Sequence, residues 1–292
     1  MFTSQDVIYT GSFSLEGIET IWVKETFRDI VLLHGGGEEL IVKEYGNPDT
    51  ELMRAEQRGT ALCFEGRGKA LISVSVSSIF CNWGITTGQH KIELLIPAGY
   101  KGQIYAESKS GDISMEDVWE LQNLQIKTAS GDADIGRVRA EHILIESLSG
   151  DIDVEEAWGD RQFLSASGDI CLKSGRGGLY VKTKSGDMDV NGLDAETLLE
   201  SISGDISADF AVVTQPVKIT TVSGDAFVKI AADSCVSIEA RTVSGEISLA
   251  LPSAQIYNKS NGHVLAQMGS CAAENTPVMD VGAVSGDVCV SN

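Results

Sequence analysis

The sequence has no apolar run approaching the roughly 18 residues that a membrane-spanning helix needs, and that excludes such a span. Its opening, Met1-Phe2-Thr3-Ser4-Gln5-Asp6, shows no basic stretch followed by an apolar one. No export signal is read there, so the protein is expected in the cytoplasm or at the inner face of the membrane. The six cysteines, at 63, 81, 171, 235, 271 and 289, form no Cys-x-x-Cys pair and do not cluster with His34, His90, His142 or His263. That spacing argues against a zinc site or a disulfide framework and fits scattered thiols in a reducing compartment. His34-Gly35-Gly36-Gly37 and Ser174-Gly175-Arg176-Gly177-Gly178 lack the Gly-Lys-Ser/Thr ending of a phosphate loop and read as turns. No convincing helical pattern occurs anywhere in the chain.

Positive charge is scarce as well. Lys and Arg number 22 against 42 Asp and Glu, a net charge of −20. The deficit is uneven: residues 1–105 hold 9 basic and 13 acidic side chains, residues 106–292 hold 13 and 29. A field of that sign excludes binding to nucleic acid or anionic lipid through charge. Its plain use is solubility; its sharper use is an acid-coated face for a basic partner.

What the sequence does have is a recurring signature, [Ser/Thr]-x-Ser-Gly-[Asp/Glu]. Its Gly-Asp pairs are Gly111-Asp112, Gly131-Asp132, Gly150-Asp151, Gly168-Asp169, Gly186-Asp187, Gly204-Asp205, Gly224-Asp225 and Gly286-Asp287. In the copy at Gly245-Glu246 the acid is exchanged, and in the copy at Gly286 the first hydroxyl becomes Ala283. Successive glycines are separated by 20, 19, 18, 18, 18, 20, 21 and 41 residues, the last gap being close to two periods. A period near twenty marks a solenoid, an all-β one here. Apolar residues recur two and four positions after the glycine, as in Ile152 and Val154, and five before it, as in Ile145. Polar residues such as Asp153 stand between the two downstream columns. This period-2 alternation on both sides of a turn predicts strands with one face inward, stacked about 4.8 Å apart. The glycine is expected at positive φ, and the acid as an Asx-type acceptor within its own turn. The buried Ser/Thr column is expected to form a hydroxyl ladder. A calcium-binding acid row is the alternative for the Asp column; with one Gly and one Asp per coil of about twenty, the composition favours a structural turn and no metal.

Residues 1–105 lack the signature but are rich in strand-like runs: 18–23, 29–33, 39–42, 60–64, 71–76 and 91–96. Turn clusters separate them at Gly35-Gly36-Gly37, Gly46-Asn47-Pro48-Asp49 and Gly66-Arg67-Gly68. They are expected to form an N-terminal β cap, a sandwich or irregular early coils, over the first solenoid edge. Residues 106–292 form the solenoid proper. The rhythm breaks at 251–282, where Lys259-Ser260-Asn261-Gly262-His263 reads as a worn coil followed by a loop-like insertion from Gly269 to Pro277. Trp119 and Trp158 are expected to plug the interior.

With both halves described, the chain resembles the bacterial "putative adhesin" family, a domain family of unknown function with β-strand repeats. The resemblance rests on Ile-Glu-Thr-Ile-Trp-Val (18–23), on Lys91 with Ile92–Pro97, and on the Ser-Gly-Asp-Ile coils. It implies a β-solenoid without known catalytic residues or cofactors, in proteins often found near the cell envelope. A non-enzymatic scaffold or binding module is therefore expected, contacting an unidentified and membrane-associated protein partner, as a monomer or an edge-paired homo-oligomer. The alternative is a carbohydrate-binding or carbohydrate-active solenoid, with Asp153, Asp189, Arg161, Lys173 and Lys182 on one outer sheet. A cleft lined by exposed aromatics and carboxylates would favour that alternative.

Overall fold

Every signature glycine lies against the carbonyl of the coil beside it, and this contact sets the stacking order. The computed structural model describes residues 7–46, 50–66, 90–269 and 276–292. They form 24 strands and no helix. The first eight are β1 (Val7–Ser14), β2 (Thr20–Glu25), β3 (Asp29–Gly35), β4 (Glu39–Tyr45), β5 (Arg54–Arg58), β6 (Ala61–Glu65), β7 (Lys91–Pro97) and β8 (Gln103–Ser108). Three long strands follow: β9 (Ile113–Thr128), β10 (Ala133–Ser147) and β11 (Ile152–Ser165). Next are β12 (Ile170–Arg176), β13 (Leu179–Ser185), β14 (Met188–Leu193), β15 (Thr197–Ser203), β16 (Ile206–Phe210), β17 (Val217–Ser223) and β18 (Ala226–Ile230). The last are β19 (Val236–Ser244), β20 (Ile247–Ala250), β21 (Ala254–Ser260), β22 (His263–Met268), β23 (Val278–Ser285) and β24 (Val288–Ser291). The expected strand 71–76, the turns at 47–49 and 67–68, Cys81, Cys271 and most of the 269–277 insertion lie outside the described residues.

The Ser-Gly-Asp turn divides each coil into a strand before it and a strand after it. The pre-turn strands stack as β5-β6-β2-β8-β9-β10-β11-β13-β15-β17-β23-β19-β22-β21. The post-turn strands stack as β1-β4-β7-β3-β9-β10-β11-β12-β14-β16-β18-β24-β20. β9, β10 and β11 contribute their first halves to the post-turn sheet and their second halves to the pre-turn sheet. Pairing along the body is parallel. Inward residues form continuous apolar ladders, for example Ile104, Leu124 and Ile143 in the pre-turn sheet and Ile113, Ala133 and Ile152 in the post-turn sheet, all buried. Each strand alone would leave half its apolar face in water; only stacking removes it.

Two ladders of main-chain and side-chain contacts run along the turn. A Cβ on any of Gly131, Gly150, Gly168, Gly186, Gly204, Gly224, Gly286 or Gly245 would stand 2.5–2.7 Å from a carbonyl carbon of the neighbouring turn. Real Cβ atoms do not come that close, so the column is glycine for lack of space. This corrects the expectation of positive φ, which, of these eight and Gly111, only Gly204 shows, at 158°. Beside them each aspartate accepts a hydrogen bond from the next turn's aspartate N–H: Asp132 N to Asp112 Oδ1 at 2.9 Å, Asp169 N to Asp151 at 2.8 Å, and so on to Asp287 N to Asp225 at 2.7 Å. The acid therefore bonds across coils and not within its own turn, a second correction. The ladder starts at Asp29 and ends at Glu246, whose N–H donates to Asp287 at 2.8 Å. The one exchanged acid thus stands where no further coil among the described residues needs an acceptor. The hydroxyl column is buried; Ser108, Ser147 and Ser165 accept from their turn glycine N–H, while Thr242 donates to the Gly286 carbonyl. Thr128, Thr183 and Ser201 have buried hydroxyls without a partner.

The coil of Gly286 is last in sequence but sits between those of Gly224 and Gly245. Lys259–His263 is the turn of an antiparallel hairpin, β21–β22, that covers β19; it is not a worn coil. The N-terminal strands show the same threading: β2 and β3 form a coil between β6/β7 and β8/β9, and antiparallel β5, β4 and β1 lie outside it. In that coil Arg28 replaces glycine and Glu25 replaces the hydroxyl. Both are buried, with Arg28 bridging Glu25 at 2.7 Å and Glu44 at 2.6 Å.

Gly168→Ala is expected to lower stability by about 3 kcal/mol in urea denaturation, because neither backbone can yield. Gly282→Ala is the control: its Cβ would meet nothing within 4 Å, and it should be neutral or stabilising by roughly 0.5–1 kcal/mol. Asp169→Ala should cost about 1 kcal/mol by leaving the Asp187 N–H without its acceptor. Asp169→Asn, whose amide oxygen still accepts, should cost less than half of that in the same assay.

Candidate functional site

The interior repeats the same residue types coil after coil, so chemical individuality resides on the outer faces. On the pre-turn sheet one outward row reads Trp22, Tyr105, Gln125, Leu144, Gln162, Tyr180 across adjacent strands. It runs through a concavity of about 670 Å³ and a smaller neighbouring one of about 250 Å³ that reaches Trp22. Tyr105 donates to Gln103 at 2.9 Å and Tyr180 to Glu200 at 3.2 Å, which ties both hydroxyls to the same face. The next outward row carries matched charges: Lys24–Glu107 at 2.7 Å, Lys127–Glu146 at 2.6 Å and Lys182–Glu200 at 2.8 Å. The hydrogen bond from Lys182 holds the Glu200 carboxyl below its ordinary range.

The post-turn sheet presents a different outward row: Ser114, Asp134, Asp153, Cys171, Asp189 and Ser207. Burial, then the neighbouring charges of Asp153, Asp132 and Asp112, push the Asp134 carboxyl up. Burial followed by Asp153 and Asp189 raises the Cys171 thiol, and burial followed by Asp287 and Asp225 raises that of Cys289. Raised thiols stay protonated, the opposite of what a nucleophile requires.

A third, short ladder joins the two sheets where β9, β10, β11 and β12 pass between them, and it carries Glu120, Arg139, Trp158 and Arg176 side by side. Trp158 is half-buried, with the Arg139 guanidinium 3.3 Å from its ring centroid. It is an outward cation–π partner and not the interior plug expected of it. Trp119 is the plug: it is 1% exposed, its ring stacks on His34 with centroids 4.1 Å apart, and its indole N–H donates to the Glu116 carbonyl.

The turn edge carries the last distinct row, the variable position of the signature. In stacking order its final four members are Ile202, Val222, Val284 and Val243, all exposed, the last 82% so. Beside them run Asp205, Asp225, Asp287 and Glu246, none with an ion pair among the described residues.

The residues considered for polysaccharide chemistry do not converge. Asp153, Asp189 and Lys173 are on the post-turn sheet, and Lys182 is on the pre-turn sheet. Arg161 is 3% exposed and points inside, donating to the carbonyls of Ala157 and Gly177. Burial lowers its pKa to about 10. The four histidines are equally dispersed: His34 lies on Trp119, His142 3.7 Å from Asp160, and His263 3.0 Å from Glu239, while His90 precedes β7. Cys235 is disulfide-bonded, which corrects the picture of scattered thiols, whereas Cys63, Cys171 and Cys289 are free. No group of three or more His, Cys, Asp or Glu able to hold a metal occurs among the described residues. The structural turn residues, Gly111 and Asp112 through Gly286 and Asp287, are all placed in the two turn ladders. The outer row from Trp22 to Tyr180 was missed in the sequence because it mixes aromatic, amide and aliphatic types; only the register of parallel strands lines them up.

The Asp134 shift gives a signed prediction. Its pKa is higher in the folded chain than in the unfolded one, so ionised Asp134 destabilises the fold at neutral pH, and the penalty disappears once both states are protonated. Asp134→Asn should therefore raise the urea midpoint near neutral pH, with the gain vanishing below the ordinary aspartate range.

No curated protein matches the chain. Among solved structures, the crystal structure of a putative cell adhesion protein from Clostridium sporogenes ATCC 15579 is similar at 10% identity. The match covers 97% of each chain with a TM-score of 0.32. The family model that matches, Toastrack DUF4097, covers residues 18–291, the stretch that holds β2 to β24. The chain belongs to the Toastrack DUF4097 family.

Proposed function

We propose that this protein is a non-enzymatic β-solenoid scaffold that engages a protein partner at the bacterial cell envelope through its turn edge. The observation that carries this is the exposed aliphatic ridge Ile202-Val222-Val284-Val243 beside a row of carboxylates that have no ion pair among the described residues. Four side chains at about 4.8 Å spacing give a ridge of roughly 14 Å. Three β-branched valines and an isoleucine held at a turn gain nothing from folding when left in water, so their use is contact with something else. The partner that fits is a segment with aliphatic residues flanked by Lys or Arg, because Asp205, Asp225, Asp287 and Glu246 would otherwise remain without counter-charge. The dispersed histidines and raised thiols support a role without bond-making chemistry.

The test is affinity capture of the tagged protein, with crosslinking, from separated membrane and soluble fractions, run beside a Val222→Asp/Val284→Asp variant. One defined partner is expected from the membrane fraction with the native chain, reduced at least tenfold with the variant. Equal recovery by both, or no reproducible partner in either fraction, would sink the proposal.

A further inference from the structure

The pre-turn face is chemically unlike the rest of this acidic molecule, and it lies away from the turn-edge ridge. The charged row beside the groove pairs Lys24, Lys127 and Lys182 with Glu107, Glu146 and Glu200 at 2.6–2.8 Å. A ligand of either charge finds no uncompensated partner row there, in contrast to the turn edge. The outward row from Trp22 to Tyr180 is itself uncharged. Trp22 and Tyr105 stand at one end of the outward row, Tyr180 at the other, and Gln125, Leu144 and Gln162 between them. Five steps of about 4.8 Å make this row roughly 24 Å long. The concavity of about 670 Å³ over it is within the range of small-molecule clefts, roughly 300–1,000 Å³.

We propose that this concave face binds a neutral oligosaccharide lying across the strands. Sugar rings present apolar C–H faces that pack on aromatic rings, and hydroxyls that both donate and accept. Amide side chains match such hydroxyls, since each Gln or Asn both donates and accepts. The stretch from Trp22 to Tyr180, aromatics flanking Gln125, Leu144 and Gln162, repeats that chemistry along a linear ligand. Charge complementarity separates it from other occupants. Nucleic acid and anionic glycans need a row of free cations and a basic segment a row of free acids; among the described residues the groove's lining carries two carboxylates, Asp160, 3.7 Å from His142, and Glu196. A strand-adding peptide needs an open sheet edge, whereas this row lies on a sheet face with neighbours on both sides.

Calorimetric titration of the full chain with cellohexaose, maltohexaose, laminarihexaose and chitohexaose tests the assignment, with hexagalacturonate as the anionic comparison. At least one neutral hexasaccharide should bind, more tightly than its own disaccharide and with little dependence on salt. Tyr180→Ala should weaken that binding by about tenfold, the scale of one aromatic packing contact. Tyr257→Ala, on the distant C-terminal hairpin, should leave it unchanged. Should Tyr180→Ala lose its folded circular dichroism spectrum, Gln162→Ala, at an exposed position, reads the same contact row. No binding by any of the four neutral sugars, preference for hexagalacturonate, affinity unchanged in the groove variants, or displacement of the sugar only by variants of the Val222 ridge would overturn it.

Discussion

The contact between a glycine and the carbonyl of the neighbouring coil is the constraint on which the rest of this structure depends. A Cβ at that point would fall inside the carbonyl group of the next turn. Its absence lets the turns stack at strand spacing, and strand spacing is what brings one aspartate carboxylate to 2.7–3.0 Å from the next turn's N–H. Once turns are held at that distance the strands on either side are in parallel register, and the inward Ile, Val and Leu columns meet as ladders. Each layer of interaction presupposes the previous one. This explains why the turn is the invariant part of the repeat, while the lengths between signatures drift from 18 to 21 residues and reach 41 where the β21–β22 hairpin intervenes.

A stack of this kind has two weak places, its ends, where strands would offer unpaired main-chain groups to another molecule. Both are handled by threading. The coil nearest each chain terminus is inserted one layer in, so β2/β3 and β23/β24 have neighbours on both sides. The next layers, β6/β7 and β19/β20, are still parallel to them, and antiparallel strands follow outside β6, β7 and β19. At the N-terminal end the outer strand β5 is short and carries Arg54, Glu56 and Arg58 in an exposed ion-pair cluster, a composition that resists edge-to-edge addition. The buried Glu25–Arg28–Glu44 cluster sits at the same end, where the glycine contact gives way to an arginine whose carbonyl still supports Gly111.

Because the interior is uniform, function has to be sought where coils differ. Three outward rows differ from one another in kind: matched charges with aromatics and amides on the pre-turn sheet, acids and unreactive thiols on the post-turn sheet, and an aliphatic ridge along the turn edge. The net charge of −20 is therefore a sum over faces with different characters, and one of them is close to neutral. A single rigid stack can in this way present separate surfaces of different chemistry without any of them altering the fold.

Repeat period, inward columns and the hydroxyl column could be read directly from the sequence, because period-2 alternation and a glycine every twenty residues are local patterns repeated nine times. The exchange of Asp for Glu at 246 and of Ser for Ala at 283 were visible too, but their meaning was not. Only the stacking order shows that Glu246 ends the acceptor ladder and that the Gly286 coil lies inside it. The hidden coil at Glu25–Asp29 escaped notice because Arg28 occupies the glycine position. Arg161 and Trp158 exchanged their expected places, inside and outside, at the second corner, where the chain bends and strict alternation fails. The sequence by itself determined that this chain must stack, since no single coil can bury its own apolar face. Tertiary structure alone decided the order of the coils and the make-up of the outer rows, because both are set by hydrogen-bonded register between strands 18 to 83 residues apart.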